Sequence, residues 1–323
     1  MLKWLFGVAL SLAAAGTATA QDWPTRPMTM IVPFTAGGPV DVAARVVAPR
    51  MSEILGQQIV IENIGGAGGM TGSNRVAKAP GDGYLFVLGN TGTHASNQTL
   101  YKKPMYNSVT EFAPVGLVVE NTKVLLVRNS LDVRTMPEFV AHAKANHAKM
   151  QFGSAGSGSA THLGCLLLHV KLGVEVTHVQ YRGASQAMQD LVGGRIDYMC
   201  DIISTALAQI QAGGARPIAL LSTTRFPVLP DLPTALEQGT ADVDSDGWNA
   251  IFLPKATPDA IVRRLADGAG QALDTPAVRE RLVGLGLKVP GPDRRGPDYL
   301  GRLLAEEIDK WARPINAAGV TAD

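Results

Sequence analysis

A unit made of a short apolar strand, a glycine-rich or polar turn and a helix recurs along the first part of the chain. In its first copy, Met28 to Phe34 is mostly apolar, Ala36-Gly37-Gly38 interrupts the pattern, and Pro39 begins a segment of helical periodicity. Later copies have their turns at 63–69 and 89–94. Since crossovers between parallel strands are right-handed, this repetition predicts a parallel sheet with helices on both faces, an α/β fold.

The turns of these units are the first candidates for a binding site. Ligands of parallel sheets bind beyond the carboxyl ends of the strands, so the turns at 34–38, 63–69 and 89–94 are expected to converge. A helix start that glycines leave open presents unpaired N–H groups and the positive end of the helix dipole, which suits a small anion. Taken alone, Gly37-Gly38 is explained equally well as a tight connection between a strand and a helix.

A second series of alternating strands and helices begins near Lys123 and ends with a strand at 217–222. Within it, the turn Ala155–Ser159 leads into a helix that Ser159 is expected to cap. This turn lacks the Gly-Lys-Ser/Thr of a nucleotide phosphate loop and the last glycine of a dinucleotide-binding fingerprint. A small carboxylate therefore suits its size and neutral hydroxyls better than a polyphosphate. The proline-rich connector 226–233 is expected to lead the chain back to the first domain.

The beginning of the chain has the pattern of a secretory signal peptide. Lys3 precedes the apolar run Trp4–Ala15, and Ala18-Thr19-Ala20 matches an A-x-A cleavage site, so cleavage after Ala20 is expected. No later run reaches the ~18 apolar residues of a spanning helix, so an exported, soluble mature protein is expected. The formal net charge of +1 and the lack of a basic block in the sequence argue against nucleic acid as a partner.

The sequence contains two cysteines, Cys165 and Cys200. An oxidising compartment would permit a disulfide between them, but nothing in their spacing requires one. Two buried free thiols are the favoured interpretation, because free cysteine is among the residue types that are most often buried.

Sequence motifs of catalysis and metal binding are missing. Ser157 is flanked by Ala155 and Ser159, where the nucleophile elbow of a hydrolase requires glycines. The six histidines and two cysteines do not have the spacing of a zinc site. No catalytic residue, metal or cofactor is predicted, and the chain is not expected to be an enzyme. Ser, His and Asp side chains that met in a cleft would leave an exported hydrolase as a remote alternative.

Ordered motifs along the whole mature chain carry a family resemblance. They are Val32-Pro33-Phe34-x-Ala36-Gly37-Gly38-x-x-Asp41, Val60-Ile61-Glu62-Asn63, Gly66-Ala67-Gly68-Gly69, Asp82-Gly83-Tyr84, Ser154-x-Gly156-x-Gly158-Ser159-x-x-His162-Leu163, Tyr181-Arg182-Gly183, Leu229-Pro230-Asp231-Leu232-Pro233-Thr234 and Trp248-Asn249. In this order they resemble the substrate-binding proteins of tripartite tricarboxylate transporters, the Bug receptor family of periplasmic solute-binding proteins. Thr35 and Pro39 lie at variable positions of the first turn, where the residue can change the choice of ligand.

The resemblance implies a two-lobed periplasmic binding protein of type II, a Venus flytrap with a mostly parallel sheet flanked by helices in each lobe. Lobe 1 would comprise residues 21–122 plus 223–323, and lobe 2 residues 123–222, after removal of the signal peptide at 1–20. Such proteins bind a small carboxylic acid (a dicarboxylate, tricarboxylate, amino acid or aromatic acid) in the cleft between the lobes. A monomer without cofactor that delivers this acid to a membrane permease is implied. A receptor that presents its ligand to a membrane histidine kinase is the alternative.

Matching positions imply the ligand-binding residues. In lobe 1 these are Phe34, Thr35, Ala36, Gly37, Gly38, Asp41, Asn90, Thr91 and His94. In lobe 2 they are Ser154, Ser157, Gly158, Ser159, His162, Tyr181, Gly183, Ala184 and Asp201. Backbone N–H groups near 36–38 and 157–159 would neutralise the carboxylate without a buried arginine.

Four of these residues also have a purely structural interpretation. Asp41 lies in the first turn of a helix, where a carboxylate is favourable through the helix dipole alone. His162 could pack within its helix, and Tyr181 could fill the end of a strand. Asp201 could be a structural carboxylate. These alternatives stay open at the level of the sequence.

Overall fold

The structure is a computed structural model that describes residues 23–240 and 243–322, so the predicted signal peptide lies outside the described residues. The strands are β1 (Met28–Val32), β2 (Ile59–Asn63), β3 (Leu85–Asn90), β4 (Phe112–Asn121), β5 (Lys123–Val127), β6 (Gln151–Ser154), β7 (Thr177–Gln180), β8 (Tyr198–Ile202), β9 (Arg216–Leu220), β10 (Gly247–Pro254) and β11 (Leu287–Lys288). The α-helices are α1 (Pro39–Leu55), α2 (Met70–Ala77), α3 (Asn97–Leu100), α4 (Met136–Asn146), α5 (Ala160–Leu172), α6 (Ala184–Val192), α7 (Ile203–Gln211), α8 (Asp259–Asp274), α9 (Pro276–Gly284) and α10 (Pro297–Ala318). None of the helices in these ranges is long and apolar enough to cross a membrane.

The strands of the described residues form two sheets. The first has the order β11-β4-β10-β3-β1-β2, and the second has the order β7-β6-β8-β5-β9. In the first sheet β1 runs parallel to β2 and β3, whereas β10 is antiparallel to its neighbours β3 and β4. In the second sheet β6 runs parallel to β7 and β8, whereas β5 is antiparallel to β8 and β9. Most strands of each sheet thus share one direction, and the predicted α/β fold is confirmed.

The polypeptide passes between the sheets twice. Only Thr122 separates β4 from β5, so the first passage is abrupt. The return from β9 to β10 is long, and two of its described residues bond the end of β9: Ala235 N–H donates to Leu220 O, and Ser245 N–H donates to Leu221 O. The lobe boundaries of 21–122 plus 223–323 and of 123–222 remain a prediction, and these hydrogen bonds tie part of 223–245 to the second sheet.

The helices that begin at strand ends do so for reasons visible in the sequence. α1 starts with Pro39, whose fixed φ suits the first helical turn, and ends where Gly56 adopts a left-handed φ of 75°. α5 is capped by the side chain of Ser159, which accepts a hydrogen bond from the N–H of His162. The apolar residues of both helices pack into the buried cores, which fixes their N-termini at the carboxyl ends of the strands.

A disulfide joins Cys165 of α5 to Cys200 of β8, with a Cα–Cα distance of 5.4 Å, and both residues are fully buried. The prediction of two free thiols is therefore wrong. The two residues are 35 positions apart in sequence. They meet because α5 packs across β8, and this tertiary contact is not encoded in their spacing.

Candidate functional site

A small cavity lies between the two lobes, at the carboxyl ends of parallel strands of both sheets. It is lined by Phe34, Pro39, Val40 and Asn90 from lobe 1 and by Ala155, Ser159, Ala160, Thr161, Ala184 and Ile202 from lobe 2. The cavity volume is ≈ 20 Å³, which is room for about one water molecule. The turns after β1 and β3 therefore converge here, whereas no residue of the turn 63–69 lines the cavity, and in this arrangement the cleft between the lobes is nearly shut.

Four helices begin at the wall of this cavity. The first residues of α1, α5 and α6 line it, and so does Ile202, the N-cap of α7. No N-cap side chain bonds the start of α1, α6 or α7, although Pro39 has no N–H and the N–H of Ile203 donates to the Thr122 carbonyl. Each helix N-terminus carries a partial positive charge of roughly half an elementary charge. None of the described lining residues is charged, so the cavity offers an anion backbone donors and helix dipoles instead of a cationic side chain.

The N–H groups of the turns themselves are partly used within the protein. Gly37 N–H donates to Oδ2 of Asp41 at 2.8 Å, and Gly158 N–H donates to Nδ1 of His162 at 3.2 Å. Ser159 N–H donates to the Gly156 carbonyl at 3.0 Å. The expectation that N–H groups of 36–38 and 157–159 neutralise the ligand stays a prediction, and in this arrangement those of Gly37, Gly158 and Ser159 already have acceptors within the protein.

Asp41 organises the turn between β1 and α1 and does not line the cavity. Its Oδ2 accepts hydrogen bonds from Gly37 N–H and from Arg45 Nε, both at 2.8 Å, and its Oδ1 accepts from Asn63 Nδ2 at 3.0 Å. Burial by itself would raise the pKa of Asp41, but these hydrogen bonds outweigh it and hold the pKa below its ordinary value. The contacts of Asp41 therefore support its structural interpretation.

Replacing Asp41 with alanine is expected to lower the free energy of unfolding by about 2–3 kcal/mol, because one carboxylate serves three donors. The pKa is lowered in the folded chain, so this stabilisation is complete above the unfolded value of 3.8 and is lost as the pH falls below it. Urea unfolding at pH 7 and at lower pH measures the effect. Asp259→Ala is the matched control, since Asp259 lies in the first turn of α8 but is exposed. Equal losses in the two variants would contradict the role of Asp41.

The turn after β3 contributes Asn90 to the cavity. Its Oδ1 accepts a hydrogen bond from Thr93 N–H, and Thr93 Oγ1 accepts one from Asn90 N–H, both at 2.9 Å, which fixes the turn reciprocally. Thr91 does not line the cavity; its Oγ1 accepts a hydrogen bond from Trp248 N–H at 3.0 Å. Thr91 thus connects this turn to the return strand β10.

His94 also does not line the cavity, contrary to the sequence-based expectation. Its ring is fully buried and stacks on Phe252 with a centroid distance of 4.0 Å, while Phe112 packs against it edge-on at 4.7 Å. Burial lowers the pKa of His94 to about 3, so the ring is neutral at physiological pH. Its place in an aromatic cluster of lobe 1 makes it a core residue.

Two predicted residues of lobe 2, Ser154 and His162, lie behind the turn Ala155–Ser159 and not at the cavity. We call this turn the Gly-Ser turn. Ser154 Oγ lies 2.7 Å from Nε2 of His178 and accepts a hydrogen bond from Gly156 N–H at 3.1 Å. The buried ring of His162 accepts the hydrogen bond from Gly158 N–H. Both side chains therefore shape the turn from inside the protein.

Tyr181 and Asp201 have protein partners of their own. Tyr181 OH donates to Oδ2 of Asp190 at 2.7 Å, and burial together with this carboxylate raises the pKa of Tyr181 to about 12. Asp201 is fully buried; its Oδ2 accepts from Thr205 Oγ1 at 2.7 Å, and Oδ1 has no hydrogen-bond partner among the described residues. Burial raises the pKa of Asp201 to about 6. Asp201 lines a neighbouring groove of ≈ 380 Å³, whose wall also includes Gly37 and the cavity residue Ala184.

Direct contacts between the lobes surround the cavity. Ser185 Oγ of α6 donates to the Ala36 carbonyl at 3.1 Å and lies 3.3 Å from Thr35 Oγ1. A Cβ atom at Gly183 would lie 1.8 Å from Thr35 Oγ1, so only glycine permits this approach. At a second contact, a Cβ atom at Gly158 would lie 1.9 Å from Oδ1 of Asn97. These glycines allow the backbone of one lobe to approach the other closely.

The predicted site residues thus fall into three groups. Phe34, Asn90, Ser159 and Ala184 line the cavity, and Gly38 directly precedes α1 at its wall. Thr35, Ala36, Ser157, Gly158 and Gly183 contact the opposite lobe, Ser157 through a hydrogen bond from Tyr101 OH to its carbonyl. Gly37, Asp41, Thr91, His94, Ser154, His162, Tyr181 and Asp201 do not line the cavity. The lining residues that the predicted site did not include are Pro39, Val40, Ala155, Ala160, Thr161 and Ile202. Their signal in the sequence was their place at helix starts and strand ends.

Metal binding finds no support in the geometry. Within residues 23–240 and 243–322, no group of three or more His, Cys, Asp or Glu side chains is arranged to hold a metal ion. The polar side chains at the cavity wall are the hydroxyls of Ser159 and Thr161 and the amide of Asn90.

Comparisons with known proteins agree with this geometry. A family model described as "Tripartite tricarboxylate transporter family receptor" matches residues 43–320. The structure of the periplasmic binding protein BugD is 36% identical and has a TM-score of 0.90, over 93% of this chain and 100% of BugD. MatC from Rhodopseudomonas palustris, solved with bound malate, is 38% identical with a TM-score of 0.89, over 91% of this chain and 100% of MatC. Rpa4515 from the same organism, solved with adipate, is 33% identical with a TM-score of 0.88, over 93% of this chain and 99% of its own. The predicted two-lobed fold of a periplasmic binding protein is confirmed.

Proposed function

Because the chain belongs to the tripartite tricarboxylate transporter receptor family, we propose that it captures a small carboxylic acid between its lobes and delivers it to a membrane permease. The family match and the likeness to BugD confirm the resemblance to Bug receptors that the sequence motifs carry. The family consists of solute-binding receptors, and the proposal includes no catalytic step and no cofactor.

The observation that carries the proposal is the convergence of four helix N-termini on an uncharged cavity. A carboxylate accepts hydrogen bonds from such N–H groups, and charge-assisted hydrogen bonds are about twice as strong as neutral ones. Ser159 and Thr161 add hydroxyls, and Asn90 adds an amide, at the same wall. MatC and Rpa4515 were solved with malate and adipate, and we extend this dicarboxylate chemistry to the present chain.

Capture requires the lobes to separate and close again. A cavity of ≈ 20 Å³ is far too small for a carboxylic acid, so the ligand enters only when the contacts between the lobes have opened. The ligand then contacts residues of both lobes and favours the closed arrangement over the open one. We propose that the permease recognises this ligand-closed form.

The proposed location is the periplasm. The sequence pattern of 1–20 supports export followed by cleavage after Ala20. The buried disulfide between Cys165 and Cys200 supports an oxidising compartment, because structural disulfides are rare in the cytosol. The mature protein would act there as a monomer.

Thermal shift with a panel of carboxylic acids tests the proposal. The panel comprises malate, adipate, citrate, aspartate and nicotinate, with the neutral diamide of adipic acid as the matched control. A binding acid is expected to stabilise the protein by about 2.7 kcal/mol at a hundredfold excess over the dissociation constant, and the diamide should have no effect. If no acid shifts the midpoint, or if the diamide shifts it as much as adipate, the helix N-termini are not a carboxylate site.

A further inference from the structure

Two stacked histidine rings lie directly behind the Gly-Ser turn of lobe 2. His162 of α5 and His178 of β7 have ring centroids 4.4 Å apart and an interplanar angle of 27°. Phe152 of β6 stacks on His178 with a centroid distance of 4.6 Å. The two imidazoles therefore form one packed unit together with a core phenylalanine.

Each ring is hydrogen-bonded to one end of the turn. Nδ1 of His162 accepts a hydrogen bond from Gly158 N–H at 3.2 Å, and Nε2 of His178 lies 2.7 Å from Ser154 Oγ. Ser154 Oγ in turn accepts from Gly156 N–H at 3.1 Å. An imidazole nitrogen accepts an N–H only when it is unprotonated, so the bond to Gly158 requires a neutral His162.

The shape of this turn determines what the cavity presents. Ser159, which caps α5 and lines the cavity, directly follows Gly158. Gly158 itself is pressed against Asn97 of lobe 1, where even a Cβ atom would lie 1.9 Å from Oδ1. A shift of Gly158 would therefore move the start of α5 and disturb the contact between the lobes.

We propose that the stacked rings of His162 and His178 keep the Gly-Ser turn in its ligand-binding shape, and that protonation of these rings in acid lowers the affinity for the ligand. The inference rests on the proposed function, since it assigns positioning residues to the same cleft. His162 and His178 touch the turn and not the cavity, so they act through Gly158 and Ser154.

The surroundings of the stack oppose its protonation at neutral pH. Burial, with the neighbouring imidazoles, lowers the pKa of His162 to about 3, and burial lowers the pKa of His178 to about 4. The titratable groups nearest to the stack are His169, whose Nε2 lies 2.6 Å from Tyr198 OH, and the exposed Glu175, which lines the same ≈ 560 Å³ cavity as the rings. The residues of 317–322 that line this cavity are uncharged.

Acid is expected to destabilise the folded chain, because folding lowers the pKa of both rings. In the unfolded chain the two rings take up protons near their ordinary value of 6.5, whereas in the folded chain they do so only near 3 to 4. The unfolded chain thus binds more protons in between, and the folded state loses stability as the pH falls from 6.5 towards 4. Within the site, we expect the Gly-Ser turn to change shape first, because its hydrogen bond from Gly158 N–H requires a neutral His162.

The test compares ring-preserving variants by hydrogen exchange and by calorimetric titration with malate and adipate. His162→Phe and His178→Phe keep a ring in the stack but lose the bond to the turn. We expect faster amide exchange at Gly156 and Gly158, by about tenfold, and dissociation constants raised about fivefold. His169→Phe is the matched control, because His169 belongs to the same cluster but bonds Tyr198 and not the turn. It should change neither quantity more than about twofold.

A non-titrating rescue variant tests the acid response. In His162→Asn the side-chain oxygen can replace Nδ1 as the acceptor for Gly158 N–H but cannot be protonated in this range. It should restore neutral-pH binding, and between pH 7 and 3, where His162 becomes about half protonated, the wild type should lose about twofold more affinity than this variant. Ionisation of the ligand affects both proteins alike, so it cancels in the ratio of the wild-type affinity to that of His162→Asn.

Two results would overturn the inference: unchanged exchange at Gly158 in His162→Phe, or the same pH profile in the wild type and His162→Asn. If neither malate nor adipate binds the wild type, the proposed ligand class fails. The exchange rates at Gly156 and Gly158 still decide the role of the rings, because they are measured without ligand.

Discussion

Gly183→Val is expected to weaken carboxylate binding by at least about 100-fold, some 2.7 kcal/mol, while both lobes stay folded. Gly183 precedes α6 with an extended φ of −172°, a conformation open to any residue, so the substitution does not strain the backbone. A Cβ atom there would lie 1.8 Å from Oγ1 and 2.9 Å from Cβ of Thr35 in the opposite lobe. The clash exists only when the lobes are closed, so it should act on ligand capture and not on folding.

The control for this variant is Gly296→Val. Gly296 is also an extended residue at the start of a helix, α10, but a Cβ atom there has nothing within 4 Å. Calorimetric titration should show normal affinity for Gly296→Val. In a Gly183→Ala background, Thr35→Gly removes both clashing side-chain atoms and should restore a large part of the affinity. Normal binding by Gly183→Val, with the midpoint of thermal unfolding unchanged, would show that capture does not need this contact.

Removal of the disulfide, in Cys165→Ala/Cys200→Ala, is expected to lower the free energy of unfolding by about 3–4 kcal/mol. The two cysteines enclose a sequence separation of 35 residues, and in the chain-entropy description a cross-link over such a loop stabilises by about that amount. Both sulfurs are buried in the core of lobe 2, so their replacement by alanine also removes packing contacts and adds to the loss of stability.

The same bond also connects two parts of the cavity wall. Cys165 lies on α5, whose first residues Ala160 and Thr161 line the cavity, and Cys200 lies on β8, which ends at the lining residue Ile202. The double variant should therefore bind carboxylates more weakly as well as unfold more easily. Urea unfolding with the slope held constant measures the stability, and the same measurement on the wild type under reducing conditions, which opens the bond but keeps both side chains, separates the cross-link from the packing. An unchanged urea midpoint in the double variant would contradict the stabilising role.

Features that depend on neighbouring residues were predictable from the sequence. The alternation of strands, glycine-rich turns and helices gave the α/β fold, since each signal is local: Pro39 starts α1, and Ser159 caps α5. The convergence of the turns on one edge followed from the geometry of parallel strands. The family resemblance, position by position, implied Phe34, Asn90, Ser159 and Ala184 as ligand-binding residues, and these four line the cavity.

Features that depend on distant partners were not predictable. His94 looked like a wall residue, but Phe112 and Phe252, far along the chain, enclose its ring. Cys165 and Cys200 form a disulfide because a helix crosses a strand, which their spacing cannot reveal. Asp41 has two interpretations in the sequence, and the bonds from Arg45, Gly37 and Asn63 support the structural one.

A crystal structure of the protein with adipate or malate tests the central proposal most directly. We expect a carboxylate group between the lobes, with its oxygens within about 3.2 Å of N–H groups in the first turns of α1, α5 or α6. No arginine or lysine should contact it. An acid bound instead in the histidine-lined cavity behind the Gly-Ser turn, or paired with a guanidinium group elsewhere, would contradict the proposal.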